Sequence, residues 1–239
     1  MTGIVLAAGI GSRLRPLTDS RPKCLIPVGS QPLLLRTLRA LQDSHVAECI
    51  LVTGHHHAMI EDAVRSMHLS MPVRFVLNER YASTNNNASL WLACAAAKNT
   101  DILVLDADIL FDPRLLALLL DSPALDALLI RDDGDVGAEE IKVVLENGYV
   151  RGIGKTEDPA KAAGESIGIE KFSAKTAQKL FAALGRRKDR DEFYEASFQE
   201  IIHAGVKIAA VSTGGLPCME IDTPEDLAAA SQLAVSLGL

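Results

Sequence analysis

Between Leu6 and Val28 the chain reads LAAGIGSRLRPLTDSRPKCLIPV, with two glycines and four cations, Arg13, Arg15, Arg21 and Lys23, against the single acid Asp19. Glycines let backbone N–H groups come close to an anion. Arginine adds a planar fork that matches phosphate oxygens, and lysine adds a compact charge. The chemistry available here is the gathering of phosphate groups. A chain with a formal net charge of −7 gains a local cationic pocket in this way. Two familiar phosphate loops fail on spacing. G-x-G-x-x-G lacks its third glycine, because position 14 is Leu, and no glycine here is followed by the Lys of a P-loop. A plain surface turn explains Gly9 and Gly11 but not the crowding of Arg13, Arg15 and Lys23.

Other polar clusters invite the same question. VLDAD carries Asp106 and Asp108 on one side of an extended run, so both can face one rim. Strand-end acids are often only solvated; at a ligand rim they become metal or phosphate-site groups. NERYASTNNN supplies amides and hydroxyls, which also favour turns and caps. His55, His56 and His57 look like a metal site. Consecutive side chains on an extended run diverge, however, so an exposed rim without an ion is expected.

Elements must bring these clusters together. GIVLAAG, ECILVTG, VRFVLNE and DILVLDADILF read as buried strands. PLLLRTLRALQDSH, MIEDAVRSMH and NNASLWLACAAAKN read as the helices between them, with Trp91 packed in the core. That alternation predicts an α/β fold, a mostly parallel sheet with helices on both faces and ligands beyond the strands' carboxyl ends. The rhythm changes after Arg131, where ENG marks a hairpin and GESIGIEKFS a further strand. VKIAAVS, MEID and a helix capped by Thr223 and Pro224 close the chain. We expect one domain over 1–239, with a core of about 1–130 and 205–239 and a smaller, less regular lobe at about 131–204. Four cysteines without a CxxC spacing predict buried thiols in a reducing, cytoplasmic setting. Eighteen apolar residues never run together, and the acidic balance lacks the basic face of a nucleic-acid binder. Neither membrane insertion nor a nucleic-acid partner is expected.

One pattern fits the opening stretch throughout. G-x-G-[ST]-R-x-x-P-x-T, then P-K and P-V, stands at Gly9, Gly11, Ser12, Arg13, Pro16, Thr18, Pro22, Lys23, Pro27 and Val28. It resembles the signature of the nucleotidyltransferase family that includes sugar-1-phosphate pyrophosphorylases. The resemblance implies a Rossmann-like, GT-A-like fold. It implies Arg13 and Lys23 on the triphosphate and reacting phosphate, beside Gly11 and Ser12. It also implies that the Leu6, Ala7, Ala8 and Gly9 backbone lies near the base, and that Asp108 and Asp222 bind Mg²⁺, with Asp108 at the reaction centre. A second pattern, N-x-x-Y…N-N…S-L at Asn78, Tyr81, Asn85, Asn86, Ser89 and Leu90, resembles LicC-type phosphocholine cytidylyltransferases and their relatives. It implies CTP, with Asn86 and Ser89 near the cytidine; Asn78 and Asp106 join them as candidate nucleotide-site residues. Lys155 and Tyr194 match acceptor-side positions, and Glu165 and Glu195 join them as candidates. Asp191, Glu192 and Glu195 can hold a primary ammonium, such as that of 2-aminoethylphosphonate, or form a solvated helix face. The expected reaction moves CMP from CTP to a small phosphorylated or phosphonate acceptor and releases pyrophosphate. Two alternatives stay open: a sugar- or inositol-1-phosphate nucleotidyltransferase using UTP, dTTP, GTP or CTP, and a catalytically silent nucleotide-binding module.

Overall fold

Strand β1 (Thr2–Ala7) is buried along its whole length. It sends Val5 and Ala7 into one core and Ile4 and Leu6 into another, the period-two alternation of a strand covered on both faces. The structure, a computed structural model, describes the chain except residues 98, 135, 190, 238 and 239. After β1 come the short strands β2 (Pro27–Val28) and β3 (Gln31–Pro32), then α1 (Leu33–Asp43), β4 (Glu48–Thr53) and α2 (His57–Arg65). β5 (Val73–Leu77), α3 (Asn86–Ala97), β6 (Ile102–Asp106), β7 (Ile109–Phe111), α4 (Arg114–Asp121) and β8 (Ala127–Arg131) follow. The hairpin of β9 (Lys142–Glu146) and β10 (Tyr149–Gly154) leads to β11 (Gly164–Phe172), α5 (Ala174–Arg187) and α6 (Glu195–His203). The chain ends through β12 (Ala209–Ser212), β13 (Cys218–Glu220) and α7 (Pro224–Ser236).

One nine-stranded sheet runs in the order β5-β4-β1-β6-β11-β8-β12-β10-β9. Its first four strands are all parallel, as the alternation of strands and helices predicts. The other half is mixed. β11 enters antiparallel between β6 and β8, and the β9–β10 hairpin pairs antiparallel because a tight turn permits nothing else. Helices α1, α2 and α4 pack on one face through Leu34, Leu38, Ile60, Val64 and Leu116. The other face carries α3, α5 and α6 through Leu90, Leu180, Leu184 and Phe198.

A third, smaller core matters most for the site. Leu14, Ile26 and Val28 from the glycine-loop region pack with Ile221, Ala230 and Ala234 beside and within α7. It ties the two ends of the chain together. DILVLDADILF breaks in two at Ala107 and Asp108, and its second half pairs with β13 instead of the main sheet. Cys24, Cys49 and Cys218 are buried free thiols, and Cys94 is half-buried. Among the described residues, no helix is long and apolar enough to cross a membrane.

Candidate active site

The glycine loop turns out of β1 at the carboxyl edge of the parallel strands. Gly11 adopts φ +66°, and a Cβ there would lie 2.9 Å from Lys23 Cβ. Glycine is required on both counts. The loop then returns so that Lys23 Nζ donates to Asp108 Oδ2 at 2.8 Å and to Asp222 Oδ1 at 2.5 Å. Arg13 reaches the other oxygen of Asp222 at 2.6 Å. Burial works against the Lys23 charge, but the Asp108 and Asp222 carboxylates outweigh it and hold the ammonium above its ordinary value.

Residues 108 and 222 meet through the small β7–β13 ladder, which aligns Glu220 with Ile109, and through the bond from Ile221 N to Asp108 O at 3.0 Å. Asp226 then accepts from the amides of Asp222 and Thr223 at 3.0 and 2.8 Å, while Thr223 caps α7 in return. The acid end is thereby fixed. Asp108, Glu220 and Asp222 each offer a carboxylate oxygen, all within 4.8 Å of one another. Three hard oxygen donors suit Mg²⁺ or a similar divalent cation. Glu220 was missed in the sequence, although its E-x-D spacing with Asp222 is the same signal as D-x-D at Asp106. The residue is exposed overall, yet desolvation in the cleft, then the Asp108 and Asp222 charges, push its carboxyl up to about 8.

Two clefts flank this centre. The first, about 300 Å³, is lined by Leu6, Ala8, Gly9, Gly11 and Ser12 and by Arg13 and Lys23. Asn78, Asn86, Ser89 and Asp106 line it as well. Ala7 does not, because its side chain belongs to the core beneath. Asn78 donates to Ser89 Oγ at 3.1 Å, which joins the end of β5 to α3. The second cleft, about 430 Å³, collects Lys155, Glu165, Tyr194 and Glu195. Arg13, Asn86, Asp106, Asp108 and Asp222 border both. In the second cleft β11 carries a bulge between Ser166 and Glu170, and Gly168 sits there at φ +70°, where a Cβ would lie 2.8 Å from Asp106 Oδ2. Bulges commonly re-aim strands beside functional sites.

Several expectations are corrected here. Arg15 pairs with Asp19 and, like Arg21, lines neither cleft, so only two of the four loop cations face the site. Asp191 accepts from Asn85 at the border of the first cleft and Glu192 pairs with Arg187, and neither acid lines a cleft; of the three acids near Tyr194, Glu195 alone does. The histidines are not a bare rim. His55 and His56 bond the carbonyls of Thr18 and Asp19 at 3.2 and 3.3 Å, which requires a protonated Nε2, and only His57 is exposed. Trp91 does pack against the core on that face, but only half-buried, and it stacks on Phe181 of α5 at 6.0 Å.

A doubly covered α/β sheet whose carboxyl edge joins a cationic glycine loop to three carboxylates and two clefts defines a phosphate-handling transferase. The chain belongs to the family of MobA-like NTP transferase domains, matched over residues 3–191, and is a nucleotidyltransferase. It is 27% identical over 95% of its length to choline-phosphate cytidylyltransferase of Streptococcus pneumoniae, also covering 95% of that protein. It is 35% identical over 52% of its length to CMP-5'-(3-aminopropyl)phosphonate synthase of Streptomyces rubellomurinus, but spans only 20% of that protein. Its fold is similar to that of the inositol-1-phosphate CTP transferase from T. maritima, with a TM-score of 0.82 at 20% identity over 98% of this chain and 96% of the other.

Proposed function

We propose that the protein is a Mg²⁺-dependent cytidylyltransferase that moves CMP from CTP to a small phosphorylated or phosphonate acceptor. The observation that carries this reading is the convergence of Arg13 and Lys23 on the Asp108–Glu220–Asp222 group, between two clefts. Cytidine as the base is supported by the likeness to the streptococcal cytidylyltransferase and the Streptomyces CMP-phosphonate synthase. The first cleft takes the nucleotide against Leu6, Ala8 and Gly9, with Asn78, Asn86 and Ser89 at its far side. The second takes the acceptor between Lys155, Glu165, Tyr194 and Glu195.

An acceptor oxygen attacks the α-phosphorus, the bond from that phosphorus to the β-phosphate oxygen breaks, and pyrophosphate leaves with the electron pair. No protein base is required, since a phosphate monoester with a second pKa of about 6 is already ionised. The barrier lies in bringing two anions together. Arg13 and Lys23 counter that repulsion from fixed positions, which is the strongest catalytic device available to such a site. When bound by Asp108, Glu220 and Asp222, Mg²⁺ supplies further neutralisation of phosphate charge. Free buried thiols and a nucleoside triphosphate substrate support a cytoplasmic setting.

The test is pyrophosphate release with CTP, UTP, dTTP, GTP and ATP against phosphocholine, 2-aminoethylphosphonate, glycerol phosphate, inositol-1-phosphate and sugar-1-phosphates. CTP is expected to dominate, with activity lost on chelation of divalent metal. Strong turnover with UTP alone removes the cytidine assignment.

A further inference from the structure

The acceptor cleft is acidic beyond what phosphate binding calls for. Glu140, Glu165 and Glu195 all line it, and each has a buried Oε2 without a hydrogen-bond partner. Glu195 is the decisive one. It is 6% exposed, at the first residue of α6, and its carboxyl takes a hydrogen bond from its own backbone amide while Oε2 has no partner. Behind it lies Glu170, fully buried and also carrying an unpaired Oε2, near Asp106, whose carboxylate is bonded by the Tyr194 hydroxyl. Burial, then the charges of Asp106 and Glu195, raises Glu170 well above the usual carboxylate range. Resident cations answer these acids only in part, through the charge of Lys155 on Glu195 and of Arg131 on Glu165. Arg131 is engaged at 2.9 Å with the other oxygen of Glu165, while Lys155 pairs with Glu139 and covers the Phe193 ring. Unpaired buried carboxylates are costly, so the arrangement calls for a cation from outside.

We infer that the acceptor is a phosphate or phosphonate bearing a primary ammonium group, with Glu195 as its principal counter-ion and Glu165 beside it. The inference rests on the CMP-transfer reading above and narrows its acceptor. A quaternary ammonium has no N–H and is normally held by aromatic faces. Here the Tyr194 ring packs on Phe198 at 4.9 Å, its hydroxyl is committed to Asp106, and Lys155 already lies over Phe193. The groups left without partners are carboxylate oxygens, which need N–H donors and a positive charge. Polyols would donate hydrogen bonds but leave the charge unmatched.

The experiment compares kcat/KM for 2-aminoethylphosphonate, ethylphosphonate and phosphocholine with CTP and Mg²⁺, in the wild type and in Glu195→Gln. A site built around a charged donor rejects the analogue lacking it by about a hundredfold or more. The wild type is therefore expected to prefer 2-aminoethylphosphonate over ethylphosphonate by that factor. Glu195→Gln should collapse the preference for the ammonium-bearing substrate to within a few-fold of ethylphosphonate, and Glu165→Gln should shift it in the same direction. Equal use of ethylphosphonate, a preference for phosphocholine, or an unaltered ratio in a folded Glu195→Gln protein overturns the inference. Calorimetric CTP binding separates the two levels. CTP bound without transfer to 2-aminoethylphosphonate refutes the ammonium site, whereas no CTP binding and no transfer to any acceptor refutes the cytidylyltransferase reading itself.

Discussion

Lys23 is the residue on which the two halves of the site depend. Its ammonium sits between Asp108 and Asp222, where a divalent cation would also be held. Two positive charges cannot share that space cheaply, so on the proposed reading Lys23 would turn toward phosphate when nucleotide and metal bind together. Lys23→Met is expected to lower kcat by about 10²- to 10³-fold, the usual loss on removing one preorganised charge. The same variant should bind Mn²⁺ more tightly than the wild type in the absence of nucleotide. Pyrophosphate release reads the first effect and calorimetric titration with Mn²⁺ the second. Unchanged turnover would dismiss Lys23 from the chemistry, and unchanged Mn²⁺ affinity would dismiss the competition.

At the scale of elements, the glycine loop is held from outside by the start of α2. His55 and His56 leave β4 and bond the carbonyls of Thr18 and Asp19, while Gly54 lets Ala8 and Tyr81 pack against the turn. His55→Ala should cost about 1 kcal/mol, the worth of one such hydrogen bond. It should raise the KM for nucleotide severalfold while leaving kcat near normal, and His55→Gln, which keeps an N–H donor, should restore it. Nucleotide titration and thermal melts check this, and an unaltered KM would leave the histidines structural only. This contact also marks a boundary of what the sequence tells. The glycine loop was legible because its chemistry is written in adjacent residues, Gly9 to Lys23. The parallel half was legible because β1, β4, β5 and β6 are uninterrupted apolar runs separated by helical ones. The histidine contacts were not, since they depend on a loop folding back across 37 positions. Neither was the β7–β13 ladder: three residues at Ile109–Phe111 and three at Cys218–Glu220 carry no local signal of pairing with each other.

For the whole molecule, the acids that give the chain its net charge of −7 are unevenly placed, and several are buried around one edge of the sheet. That concentration sets how stability responds to pH. Burial pushes Glu195 from 4.5 up to about 7, against the pull of its own amide and of Lys155. A raised folded-state value means that the folded protein binds this proton more tightly than the unfolded chain does. Below about 4.5 both states are protonated and the group costs nothing. As pH rises toward 7 the unfolded chain gives up its proton first, so folded stability declines across that window and the full penalty is present above it. The shift corresponds to roughly 3 kcal/mol. Glu170 and Asp106 lie raised in the same direction and steepen the trend. Glu195→Gln removes one buried charge without changing shape. Its melting temperature is therefore expected to exceed that of the wild type clearly at pH 8 and hardly at pH 5. Bound 2-aminoethylphosphonate should narrow the gap at pH 8, because its ammonium neutralises Glu195 in the wild type and has no such partner in the variant. Parallel melting curves for the two proteins across that pH range would mean that Glu195 is not a buried charge in the folded state, and the uneven charge distribution would then have to be carried by Asp106 and Glu170 alone.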